Sequence, residues 1–161
     1  MTKDETMSNN STTLFYANQV IFSHNPTSAF LVSPIVIRVL GSNSAVIFAE
    51  LVRRWLSSHY GWFAVSHREL SDELGLSLAV VRRCIHGHPN APHKIPLTEI
   101  GVETKVCRRN GVPITHYRIN ENRLSEFFKD YADVIKEVNI ENVRRSYGEK
   151  EAQKLRDSYN D

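Results

Sequence analysis

Residues 61–87, GWFAVSHRELSDELGLSLAVVRRCIHG, decide how this chain is built. Ser66 and Glu69 have the S-x-x-E spacing of a capping box, where a serine oxygen and a glutamate carboxylate satisfy two free amides at a helix start. A helix therefore opens there, with Leu70 and Leu74 as its apolar face, and Gly75 stops it. Only Leu76 separates that glycine from Ser77, a second cap. The helix that follows turns Val81 and Ile85 inward and leaves Arg82, Arg83 and His86 to face out. Two short helices joined by Gly-Leu-Ser, the second capped and basic, make a helix-turn-helix.

Downstream, residues 88–96 (HPNAPHKIP) contain three prolines and cannot continue a helix, so a loop is expected. Residues 101–120, GVETKVCRRNGVPITHYRIN, then place two β-prone arms around Asn110-Gly111, a strong hairpin signal. A two-residue turn sets Val106 opposite Thr115, Thr104 opposite Tyr117 and Val102 opposite Ile119, a face expected to meet the core. Lys105 opposite His116 and Glu103 opposite Arg118 take the other face, with Arg108 and Arg109 at the tip. Such a hairpin beside a helix-turn-helix is a wing.

Upstream, Asn43 or Ser44 is the expected cap of a helix carrying Phe48, Leu51, Val52, Trp55 and Leu56 inward, with Glu50, Arg53 and Arg54 on the opposite face and Gly61 as its end. Apolar runs at residues 14–22 and 30–40 are split by a turn-rich Ser23-His24-Asn25-Pro26, and Pro34 interrupts the second, so their secondary structure stays open. Residues 1–12 are polar, small and without periodicity, the pattern of a disordered tail. On the C-terminal side, Leu124, Phe127, Phe128, Tyr131, Ile135 and Val138 keep helical spacing behind Asn120 or Asn122. A charged segment over residues 140–159 carries a sparse stripe of Val143, Tyr147, Leu155 and Tyr159, which suits a dimerising or partner-binding helix as well as a charged extension. The expected fold is α+β, mostly α, with a flexible N-terminal arm (1–32), a winged helix-turn-helix domain (33–122) and a C-terminal helical extension (123–161).

The 161 residues carry a net charge of only +2, but its distribution is uneven. Residues 38–123 hold twelve Lys/Arg against seven Asp/Glu, a net of +5, while residues 124–161 hold seven against nine, a net of −2. The positive field is thus concentrated where a polyanion would meet the helix-turn-helix. Several function classes lack their motifs. No apolar run approaches the ~20 residues of a membrane span, and two cysteines, Cys84 and Cys107, cannot form a disulfide framework. A soluble, cytoplasmic protein is the expectation. G-x-x-x-x-G-K-[ST], G-x-G-x-x-G, H-E-x-x-H and G-x-S-x-G are all missing, so neither an enzyme nor a cofactor is expected. Cys84, His86, His88, His93 and Cys107 cluster loosely, but Cys84 and His86 lie two apart on a helix and the spacing fits no recurring zinc pattern. Trp55, Trp62, Phe63 and Tyr117 are expected in the core rather than as base-stacking platforms.

The stretch from Leu31 to Leu124 resembles winged helix-turn-helix domains of phage and plasmid replication-initiation proteins, including replisome organisers and related regulators. The matching residues are Leu40-Gly41 followed by Ser44-Ala45, then Trp55, GWFAVSHRELSDELGLS, Val81-Arg82-Arg83 and Thr115-His116-Tyr117-Arg118-Ile119-Asn120. One departure stands out: in such domains the recognition helix usually runs into the wing, whereas here HGHPNAPH intervenes, which would end the helix early and displace the wing. The resemblance implies sequence-selective, non-catalytic binding of double-stranded DNA in replication or transcription regulation, and two-fold operators suit a homodimer. Ser77, Leu78, Ala79, Arg82 and Arg83 would reach base edges in the major groove. Arg108 and Arg109 would track phosphates or enter a minor groove, with Lys105, Lys94 and Arg68 as further phosphate contacts. Together these side chains are expected to form one cationic ridge. The rival expectation is a protein-interaction adaptor or inhibitor on the same scaffold, to which the exposed Leu78-Ala79 pair would lend itself.

Overall fold

A computed structural model describes residues 32–91 and 94–160. Apart from Val32, which packs against the core, the N-terminal arm lies outside the described residues, as does the apolar run at 14–22. The chain forms α1 (Pro34–Leu40), α2 (Ser42–Ser57), β1 (Phe63–Ala64), α3 (His67–Leu74), α4 (Leu78–His86), the single turn α5 (Leu97–Ile100), β2 (Val102–Arg109), β3 (Val112–Ile119), α6 (Glu121–Lys129), α7 (Ala132–Tyr147) and α8 (Glu149–Ser158). It is α+β and mostly helical, with one small antiparallel sheet in the order β1-β3-β2.

Local chemistry explains most boundaries. Ser66 Oγ accepts from Glu69 N at 3.1 Å while the Glu69 carboxylate accepts from Ser66 N at 2.7 Å, the reciprocal cap expected for α3. Gly75 ends α3 in the left-handed region, and Ser77 Oγ caps α4 by accepting from Val80 N. At α2 the structure corrects the expected cap: the helix begins at Ser42, and neither Asn43 nor Ser44 caps it. Gly41 instead serves as the end of α1 and the start of α2, at a φ of 85° that side chains rarely adopt.

The hairpin register is the one the Asn-Gly turn dictates: Val102 faces Ile119, Glu103 faces Arg118, Thr104 faces Tyr117, Lys105 faces His116 and Val106 faces Thr115. Asn110 and Gly111 both have positive φ, as a tight two-residue hairpin turn requires. The expected core face is only half realised. Val102, Tyr117 and Ile119 are buried, but Val106 is 66% exposed because the hairpin's outer half extends past the helices that would cover it.

One buried cluster joins α1 to α7 and the sheet, and includes Phe48, Leu51, Trp55, Leu70, Ile85, Tyr117, Leu124, Phe128 and Ile135. The C-terminal region departs from the two helices read from spacing. Asp130 and Tyr131 divide α6 from α7, and Gly148, at φ 91°, breaks residues 140–159 into α7 and α8. α8 folds back on α7, burying Ala152, so part of the sparse apolar stripe is used within the chain. Tyr147 alone of that stripe stands 75% exposed. No helix among the described residues is long and apolar enough to cross a membrane.

Candidate nucleic-acid interface

Two concavities flank α4. The larger, about 560 Å³, lies between α4, the start of α3 and the hairpin strand β3. Leu78 and Arg82 form one wall, Ser66 to Glu69 the floor, and Val112 to Thr115 the other wall. What holds the hairpin there is the sheet: Phe63 pairs with Tyr117, Ala64 with His116, and Val65 N donates to Thr115 O at 3.3 Å. α4 ends at His86 with Gly87 as its cap, yet the hairpin still stands beside the helix because β1 anchors β3.

The second concavity, about 130 Å³, lies between the first residues of α2 and the other flank of α4, where Arg83, Cys84 and Lys94 meet Gly41 to Ser44. Consecutive helix positions are ~100° apart, so Arg82 and Arg83 face different concavities. The expected single ridge is therefore divided: Arg68 and Arg82 line the larger groove, Arg83 and Lys94 the smaller cleft, and Arg108 and Arg109 stand exposed at the hairpin tip.

The other sequence-chosen residues are placed less simply. Ala79 is exposed and Leu78 half-buried on the groove wall. Ser77 is exposed, but its oxygen is already engaged as the cap. Lys105 lies outside both concavities: its ammonium sits 4.1 Å from the centre of the Trp62 ring, a cation–π contact on the sheet's other face. Trp62 is thus not a core side chain as expected. It is half-exposed and takes Arg118 as well, at 5.0 Å.

Charge pairing separates the arginines into two sets. Glu50, expected on the solvent face, is 3% exposed, because Arg53 and Arg54 close over it at 2.6 and 2.7 Å; Arg54 also reaches Glu73. The Arg53 hydrogen bond holds the Glu50 carboxyl below its ordinary range against the opposing effect of burial. Arg118 pairs with Glu103 at 2.6 Å, Arg38 with Glu137, and Arg144 and Arg145 with Glu141. Arg123 donates to Thr98 O, and Arg156 to Gln153. By contrast Arg68, Arg82, Arg83, Arg108 and Arg109 have no hydrogen-bond or ion-pair partner among the described residues.

α3 and α4 are also joined by a histidine pair. The Nε2 atoms of His67 and His86 lie 3.2 Å apart, so one ring N–H donates to the other ring's nitrogen. Burial lowers both pKa values, and for His67 the nearby His86 and Arg82 add to this, favouring the neutral rings that such a bond needs. Among the described residues no three His, Cys, Asp or Glu side chains converge as a metal site, and His93 of the loosely clustered set lies outside them.

Sequence reasoning missed the α2 terminus as a candidate binding element. The Gly41-Ser42-Asn43-Ser44 run carried the signal, but a cap on Asn43 or Ser44 would have satisfied those amides. Comparison with protein-family models, with curated proteins and with solved structures returned no match.

Proposed function

We propose that this chain is a winged helix-turn-helix module that binds double-stranded DNA without catalysis, α4 lying in the major groove and the β2–β3 hairpin acting as the wing. The observation carrying this reading is the pairing pattern: the arginines without a protein partner sit at the α3 start, along α4 and at the hairpin tip, while the rest are engaged elsewhere. Unpaired guanidinium groups keep all their donors for phosphates and for guanine edges. Helix order and the β1-β3-β2 sheet agree with the winged architecture. A place in phage or plasmid replication or regulation, in the cytoplasm and as a homodimer, rests on the resemblance of residues 31–124 alone.

Arg82 is the residue positioned for base readout, and Arg109 for sequence-independent phosphate contact. The test is a gel shift on random duplex at low salt, comparing wild type with the double variant Arg82→Ala, Arg109→Ala. Binding by wild type and its loss in the variant support the reading; equal affinity overturns the assigned face. Selection of bound duplexes from a random pool then gives the site.

The second reading, a protein-binding adaptor, is favoured by the apolar side chains around the groove: Leu78 on one wall and Val112, 60% exposed, on the other. It is the better reading if the chain ignores duplex DNA even at low salt.

A further inference from the structure

The smaller cleft at the start of α2 differs from the groove in its chemistry. Gly41 enters the sixteen-residue α2 without a side chain, and no side-chain oxygen caps the helix. Its first backbone bond is Ala45 N to Gly41 O at 3.0 Å, so the amides of Ser42, Asn43 and Ser44 have no acceptor among the described residues. These amides point out along the axis, at the positive end of the helix dipole. Ser44 supplies an independent sign. It is only 7% exposed, lines the cleft, and its hydroxyl has no partner among the described residues. A hydroxyl so placed, with no acceptor among those residues, keeps its donor for a group that enters the cleft. Across the cleft stand Arg83 and Lys94, neither held by a carboxylate, and no acidic side chain lines the space. Three amides, a hydroxyl, a guanidinium and an ammonium outnumber what the two oxygens of a carboxylate can accept, whereas a tetrahedral phosphate can use them.

We propose that this cleft, between the start of α2 and the outer flank of α4, binds a phosphate group. The proposal deepens the DNA reading and rests on it for the source of that phosphate: a backbone phosphate of the duplex held by α4, which extends the footprint from Arg83 to α2. A free phosphate compound has the same chemistry, and the experiment separates the two.

Amide NMR spectra of the full chain are recorded during titration with sodium phosphate, against sodium chloride at equal ionic strength, and separately with a random duplex. The expected result is a saturable shift of the Ser42, Asn43 and Ser44 amides with phosphate but not chloride. Arg83→Gln weakens that response about tenfold or more, and Ser44→Ala, which removes only a hydroxyl, weakens it several-fold. Equal responses to phosphate and chloride, or a phosphate response unchanged in both variants, overturn the site. If the duplex moves the same amides, its backbone is the source. If the duplex binds without moving them, the site stands and its occupant is a free phosphate compound. If the duplex does not bind at all, the DNA reading fails while the phosphate arm still judges the cleft.

Discussion

Salt dependence gives the sharpest test of which cations meet DNA. Each phosphate neutralised by a protein cation releases condensed counterions, so log K falls with log salt by about 0.9 per contact on B-form duplex. Residues 38–123 contain twelve Lys/Arg, and if all engaged phosphates the slope would be about −11. The structure removes half of them from that count. Arg38, Arg53, Arg54 and Arg118 are paired to carboxylates, Lys105 is over Trp62, and Arg123 is donated to a backbone carbonyl. Arg68, Arg82, Arg83, Lys94, Arg108 and Arg109 remain. With Arg82 kept for a base edge, the other five give an expected slope of about −4.5, which costs roughly five-hundredfold in affinity between 50 and 200 mM salt. Fluorescence anisotropy with a labelled random duplex over that range measures it. Arg109→Ala should make the slope shallower by about 0.9 for every sequence. Arg118→Ala, on the same hairpin but paired with Glu103, should leave it unchanged. A slope shallower than about −2, or equal changes from the two variants, would refute the argument that unpaired arginines define the binding face.

Three further predictions concern the scaffold. The Tyr117 hydroxyl is buried without a partner among the described residues, and burial pushes its pKa up to about 12; Tyr117→Phe should therefore stabilise the fold by about 1 kcal/mol and raise Tm by roughly 3 °C in a thermal melt, and a lower Tm would contradict it. Glu50→Gln should cost about 1–3 kcal/mol, less than a fully buried pair because Arg53 can turn to water. Since the folded Glu50 pKa is lowered, its contribution is present above the ordinary carboxylate pKa of 4.5 and is lost as pH falls through the folded value, so urea midpoints of wild type and variant should converge in acid. At Gly101 an added Cβ would lie 2.9 Å from both Asn120 O and Leu124 N, at a φ of 125°; Gly101→Ala should lose about 3 kcal/mol in urea unfolding, and a neutral result would mean that the β2–α6 junction yields.

What could be read from the residues alone was local. The Ser66–Glu69 box, the Ser77 cap, the Gly75 stop and the hairpin register each depend on side chains within a few positions or on a two-residue turn, where covalent geometry leaves few choices. Everything that depended on a distant partner had to wait for the folded chain. Val106 has the alternation of a core residue but lies beyond the helices that would cover it. Glu50 looks like a solvent-facing acid until α3 brings Glu73 to Arg54 and the arginines fold over it. Arg82 and Arg83 are neighbours in sequence, yet β3 closes one side of α4 and the start of α2 the other. Arg118 and Arg109 are the same amino acid on one hairpin, and here the register, legible from the Asn-Gly turn, already sets Glu103 opposite the first while the second stands in water. Residue type sets what a cation can bind; the distance to a carboxylate, which local spacing sets for some arginines and tertiary structure for others, decides whether it is still available.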